Sequence, residues 1–448
     1  MQVNVQEEIA HLSLGDKRRD KRFIKIIEKK VSVPCASIPE MGEKWSDIKM
    51  TYEFYNNDNV SESGIASCIE QATVGRCNEQ EVVLNIMDTT SINFSSGAEG
   101  LGYLDHGAGE GLMVHNSLAL DAQGTPLGLL SQKIWAREKS TMGKAKLRRG
   151  KDISEKESYR WIESMQHAEA LLKEVGSIVH IADRESDIYE LFTTPRSKNS
   201  ELLIRATHDR KTLLGNSMWK EVEAQPVLSS FELDIPKVTT EGIGKVQMEV
   251  RVSMIMLSPP VNKPEQLSMI VYGILVKEIG KKEKGLEWRL ISTKPVHTAS
   301  EALQFVQWYG YRWRIERLHY VLKSGCRVEE LQMRNVKALR KAILVYSLCA
   351  FKIMQMLYSS RTEPDTPCTK YFSELEWKVL RSISSKSPVT NPRAPSLQEM
   401  VKEIAKLGGY IGRNGDGPPG IKNLWKGLQH FNMAMRLVSN KNQWFSTY

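Results

Sequence analysis

The chain has 448 residues, with 62 Lys+Arg against 53 Asp+Glu and a formal charge of +9. Its 41% hydrophobic and 26% charged residues exclude a mostly disordered or collagen-like polymer and allow more than one domain, at roughly 150 residues each. The positive surplus favours a polyanionic partner only weakly, because a solubility surplus would look the same.

Residues 1–75 read as helical and basic. GDKRRDKRFIKIIEKK (15–30) opens with a cationic head and continues with apolar Phe23, Ile26 and Ile27, a short amphipathic helix. EKWSDIKMTYEFYNND (43–58) repeats the theme, with Trp45, Ile48, Tyr52 and Tyr55 at helical spacing. A solvated bundle and a DNA-contacting one both fit this block. The β-branched run EVVLNIMDTTSINFS (81–95) predicts a strand, and 113–137 a hairpin turning at Gly124. A helix over 155–175, a buried strand running into a helix over 177–192, and a strand over 201–207 complete an α/β domain with a mixed sheet.

Segment 213–295 changes to alternating runs and predicts an antiparallel β insertion. A long helix is expected over 300–324 and an apolar one over 336–358. The Pro/Ser-rich stretches 359–370 and 384–396 read as linkers. A helical C-terminal unit closes the chain, with Leu424, Trp425, Leu428, Phe431 and Met435 on one stripe.

Six scattered cysteines without a C-x-x-C pair read as free thiols in a reducing compartment. No basic segment followed by an apolar one opens the chain, and the apolar run AILVYSLCAF (342–351) is shorter than the ~20 residues of a membrane span. A cytoplasmic protein without a membrane partner is therefore expected.

Phosphate-loop, dinucleotide-binding, nucleophile-elbow and H-E-x-x-H patterns are all missing from the sequence. What stands out is carboxylates at strand ends: Asp88 closes VVLNIMD and Asp183 closes IVHIAD. A carboxylate there must be hydrated, paired or metal-bound, although a strand-end cap or turn residue would give the same pattern. On a continuous helix through YGYRWRIERLHYVLK (309–323), Arg312, Glu316 and Lys323 fall at roughly 300°, 340° and 320° from Tyr309, on one face. An ordinary salt-bridged amphipathic helix remains the alternative. Three carboxylates could hold two divalent metals ~3.5–4 Å apart, and magnesium or manganese suits an all-oxygen site. The Arg and Lys would then hold neighbouring phosphates.

At these residues the chain resembles the insertion-sequence-four family of bacterial cut-and-paste transposases, and within it the transposon-five type. The family's Tyr, Arg, Glu, Lys helix pattern is matched without a gap by Tyr309, Arg312, Glu316 and Lys323. DTTS (88–91) and ADRESDIYELF (182–192) are similar to its two other catalytic blocks. Lesser similarities are LGDKRRDKR (14–22), EKES (155–158), EWRLISTKPV (287–296) and AKLGGYIG (405–412).

The resemblance implies a ribonuclease-H-like catalytic core over 76–370, a mixed sheet flanked by helices and carrying a β insertion at 213–295. Helical DNA-binding and dimerisation domains would occupy 1–75 and 371–448. Asp88, Asp183 and Glu316 would bind two Mg2+ ions, with Mn2+ able to substitute. The activity implied is pairing of transposon inverted-repeat ends in a homodimer, cleavage through a hairpin, and joining of the 3′-ends to target DNA. Trp288 matches an aromatic that stacks on a flipped base, and Arg205 a basic residue on end DNA. Arg18, Arg19 and Arg22 of the N-terminal run, with Tyr309, Arg312, Trp313 and Lys323, are the other expected DNA contacts. The basic loop GKAKLRRGK (143–151) matches no family motif; a phosphate-contacting loop and a solvated one both fit. A structure-specific nuclease of the same fold and a silent end-binding regulator are the competing readings.

Overall fold

The computed structural model describes residues 5–445, apart from 96, 105–108, 144–149, 237–242, 282–284, 385–392 and 414. The basic loop at 143–151 therefore lies largely outside the described residues.

Among the described residues ten strands form one sheet: β1 (Val82–Asn93), β2 (Gly102–Tyr103), β3 (Glu110–Leu120), β4 (Pro126–Trp135), β5 (Ser177–Ala182), β6 (Ser200–Arg205), β7 (Ser229–Pro236), β8 (Ile243–Leu257), β9 (Met269–Glu278) and β10 (Glu287–Ser292). β1 is apolar on both faces, as a central strand must be. It pairs antiparallel with β3 and parallel with β5, and β5 pairs parallel with β6. β4 lies beyond β3. The order β4-β3-β1-β5-β6, with its first pairs antiparallel, is the ribonuclease-H-like sheet expected from the sequence.

The antiparallel patch does not sit apart from this sheet. β10 pairs with β6 on one side and β9 on the other, so β10-β9-β8-β7 prolong the core sheet.

Alternation along β1 sends Leu84 and Ile86 to one face and Val83 and Met87 to the other. Val83 and Met87 meet the helix Tyr159–Leu171 through Ala168 and through Trp161, Ile162 and Met165. The opposite face packs on the helix Val336–Thr362, and the same apolar cluster continues into both terminal helical regions, from Val5 to Phe431. This central helix is long and apolar enough to cross a membrane, yet 94% of its most apolar window is buried by protein. It also outruns the expected 336–358: Ser359 and Ser360 are buried in its last turn, so the expected linker at 359–370 begins as helix.

Two glycines permit close packing. A Cβ on Gly128 of β4 would stand 2.1 Å from the Thr73 hydroxyl, and one on Gly427 would stand 1.8 Å from the Ile404 carbonyl. The latter contact lets the helix Ile421–Phe445 lie against Leu397–Leu407, with Leu424, Leu428 and Phe431 buried. In the N-terminal block Trp45 departs from the expected stripe. It begins the helix Trp45–Asn56 and is 75% exposed, while Tyr55 is fully buried.

The single helix expected over 300–324 is broken. Ala299–Gly310 starts at a capping box formed by Thr298 and Glu301, and Trp313–Tyr320 follows as a second helix. At the junction the bonds tighten: the Tyr311 N–H reaches the Trp308 carbonyl at 3.1 Å and the Arg312 N–H the Tyr309 carbonyl at 3.0 Å. A π-helical turn, Val321–Gly325, closes the second helix. The junction breaks the angular sum that related Tyr309 to Glu316, and the π turn breaks the one that placed Lys323 beside Glu316.

Candidate active site

Asp88 does not close its strand; β1 runs on to Asn93. Asp183 does follow the last residue of β5 and begins a tight turn, where its carboxylate accepts the Glu185 N–H at 3.0 Å. Ile86 is level with Ile181 in the parallel pair, and continuing that register sets Asp88 level with Asp183 on the adjacent strand. Adjacent strands lie about 4.8 Å apart, so the two carboxylates are held close by the backbone itself.

The third carboxylate arrives from the helix Trp313–Tyr320, which packs on β1. Arg312, buried at its start, reaches Glu316 at 2.6 Å and Asp88 at 3.9 Å. The Asp88 carboxylate also accepts the Thr89 N–H at 2.8 Å. Burial, followed by the charge of Asp183, pushes its pKa up to about 7; the Thr89 bond and Arg312 pull the other way, and Glu316 adds to the rise. A cluster of acceptors, short of positive charge, therefore opens at this end of β1.

Tyr309 is buried next to Arg312 and Arg205, and burial raises its hydroxyl against the pull of both guanidiniums. The Trp288 ring meets the Tyr309 ring at 5.5 Å and 65°, an edge contact. Arg205 donates to the Glu287 carbonyl at 3.4 Å, which ties β6 to the strand bearing Trp288. Trp313 is 57% exposed beside Arg312. Lys323 is not brought to the carboxylates by any described bond. It is half-buried on the π turn, burial lowers its pKa, and Glu329 is the charge that opposes this.

In the N-terminal basic helix Lys17–Ser32 Arg18 is exposed and pairs with its cap Asp16 at 3.3 Å, while Arg19 and Arg22 are half-buried. Arg19 donates to the carbonyls of Leu14 and Asn59 at 2.7 and 2.8 Å, and Arg22 to that of Met50 at 3.3 Å. Those bonds link the helix to neighbouring segments of the helical block.

Three family models match the chain: "Transposase DNA-binding" over residues 1–60, "Transposase DDE domain" over 138–351, and "Transposase Tn5 dimerisation domain" over 348–442. They follow one another along the chain in the order of a DNA-binding, a catalytic and a dimerising part. This protein belongs to the DDE transposases and resembles that of Tn5. As such, the transposase is a metal-dependent enzyme that cleaves DNA and transfers strands, binds DNA and dimerises. Asp183 and Glu316 fall inside the DDE match, and Asp88 lies ahead of it. Among solved structures, a piggyBac transposase synaptic complex with hairpin DNA matches at 10% identity and a TM-score of 0.36, over 78% of this chain and 67% of that one.

Divalent-metal use follows from the DDE domain. Among the described residues no three metal-ligating side chains stand together as they are, and Glu316 is paired with Arg312. The donor chemistry nevertheless fits: the converging groups are all carboxylates, and a hard cation would favour the charged form of Asp88 that burial and then the Asp183 charge oppose.

Sequence reasoning missed Arg160, Thr89 and Glu185, which lie behind the two aspartates and are joined by the Arg160 guanidinium. The only signal for Arg160 was its place just after EKES; a buried arginine within a helix has no period of its own.

Proposed function

We propose that this transposase cuts transposon ends with Asp88, Asp183 and Glu316 as the groups that hold two divalent cations, Mg2+ or in its place Mn2+. The observation that carries the reading is Arg312, which spans Asp88 and Glu316 across the sheet and helix that bear them. Bound there, the cations would activate the attacking oxygen and offset charge on the leaving one. Arg312 holds Glu316 here, and its two-pronged guanidinium would suit a phosphate at this site.

Around this centre Tyr309, Arg205, Trp313 and Lys323 present polar, aromatic and cationic groups for end DNA, and Arg18 a phosphate contact from the N-terminal helix. Trp288 supports the finer reading that cleavage passes through a hairpin. It is half-buried against Tyr309, and an aromatic platform of this kind is what a flipped base needs. The partners are the element's inverted-repeat ends, the target DNA that receives the 3′-ends, and a second copy of the chain, in the bacterial cytoplasm.

The test is incubation with Mg2+ and a fragment carrying the element's own inverted ends. Hairpin-ended or excised linear DNA is the expected product, and end binding without any cleavage overturns the reading.

A further inference from the structure

Arg160, in the helix Tyr159–Leu171, is a buried cation with all three nitrogens committed. Nε donates to Thr89 Oγ1 at 2.9 Å, one Nη to Glu185 Oε2 at 2.8 Å, and the other to the Glu157 carbonyl at 3.0 Å. Thr89 follows Asp88, and its N–H donates to that carboxylate at 2.8 Å. Glu185 lies on the turn begun by Asp183, and its N–H donates to the Asp183 carboxylate at 3.0 Å. Each aspartate is thus hydrogen-bonded to the backbone of a residue whose side chain ends on the same guanidinium.

The Thr89 side chain is fixed from behind as well. Its hydroxyl accepts from Arg160 and also shares a hydrogen bond with His115 Nδ1, 2.9 Å away. Burial keeps His115 well below its ordinary pKa, with the Arg160 charge adding, and its ring lies edge-on to Trp161 at 4.6 Å. On the other branch Glu185 is 66% exposed, and Arg160 is its tie to the helix.

We propose that Arg160 is a positioning residue: it locks the Asp88 strand to the Asp183 turn and so sets how the two carboxylates face a shared cation. This rests on the reading of Asp88 and Asp183 given above. Arg160 itself touches no reacting atom. Its effect is to hold in place two like charges whose repulsion would otherwise rotate the side chains or move the turn.

The test compares Arg160→Met, Thr89→Val and Glu185→Ala in the full chain. Free Mn2+ measured by electron paramagnetic resonance gives metal affinity, and a gel shift on end-bearing DNA gives binding. Arg160→Met should weaken Mn2+ binding by about tenfold or more. The Mg2+ needed for half-maximal cleavage should rise in parallel while end binding is unchanged. Thr89→Val and Glu185→Ala should each move affinity the same way by less. Wild-type Mn2+ affinity in folded Arg160→Met overturns the inference. If Arg160→Met does not fold, wild-type affinity in both other variants overturns it, and a loss in both supports it. Asp183→Asn separates the two levels. If it keeps wild-type Mn2+ affinity, the carboxylate reading itself fails. If it loses Mn2+ while the Arg160, Thr89 and Glu185 variants do not, only the role of Arg160 falls.

Discussion

Glu8 and Lys352 are joined at 3.0 Å with side chains only 1% and 3% exposed, so a charge near the start of the chain is buried on the central helix. Arg76 closes the cluster: one Nη lies 2.8 Å from the same Glu8 oxygen, and the other donates to the second oxygen at 3.3 Å. Burial opposes ionisation of Glu8, but the charges of Lys352 and Arg76 prevail and its pKa is lowered. Removing Glu8 leaves Lys352 buried without its counter-charge. Glu8→Ala should therefore cost about 3–5 kcal/mol in urea unfolding. The folded pKa lies below the unfolded one, so the contribution of Glu8 is present above the ordinary carboxylate range and is lost as pH falls through the folded value. Wild type should lose stability with acid more steeply than Glu8→Gln; parallel curves would show that Glu8 carries no such linkage.

Glu316→Ala is expected to abolish end cleavage, a fall on the order of 10³-fold or more, while gel shifts with end DNA stay at wild-type affinity. Normal cutting by this variant would remove Glu316 from the metal-holding set.

Arg312→Ala should weaken complexes with end DNA and lower the slope of log K against log salt by about 1, the mark of one lost phosphate contact. Lys323→Ala should do the same if Lys323 leaves its half-buried place on the π turn for a phosphate. A salt slope identical to wild type in both variants argues that neither meets the backbone.

Asp88 is crowded by Asp183 and Glu316, with Arg312 its nearby cation. Asp88→Asn keeps the shape and removes a poorly solvated charge. It should stabilise the metal-free protein by about 1–3 kcal/mol in thermal melts. Saturating Mn2+ should raise the Tm of wild type and leave the variant unmoved. A lower Tm for metal-free Asp88→Asn would mean that the carboxylate is a structural support.

All six cysteines are buried, and burial pushes the thiols of Cys35, Cys68 and Cys77 up to about 12. The native chain should therefore leave Ellman's reagent unreacted over minutes, and release six equivalents once denatured. Rapid labelling of the native chain would show an opening that exposes a thiol.

The strands were legible because a short β-branched apolar run, buried on both faces, suits a central strand far better than a helix or a loop. Asp88 and Asp183 stood out as the carboxylates that interrupt such runs, and parallel pairing of their strands puts them side by side. The phase of Glu316 relative to Lys323 was not legible, since adding 100° per residue assumes an unbroken helix. The π turn after Tyr320 breaks that assumption between Glu316 and Lys323, and the tight junction at Tyr311 breaks it between Tyr309 and Glu316. The joining of β10 to β6 escaped for another reason. The pairing of Leu290 with Arg205 is a register between distant segments, and hydropathy carries no record of partner choice. Arg19 and Arg22 were indistinguishable in sequence from Arg18, because which cation folds back onto a carbonyl depends on loops elsewhere.

The continuity of the sheet turns it into a ruler. Trp288 stands on β10, two strand spacings from the strand that Asp183 follows and three from the strand of Asp88. Those intervals come to about 10 and 14 Å across the sheet, graduated by backbone hydrogen bonds. Side-chain substitutions leave such a scale untouched. Inserting a residue into β10 would instead reverse the faces of its side chains and send the Trp288 ring to the opposite side.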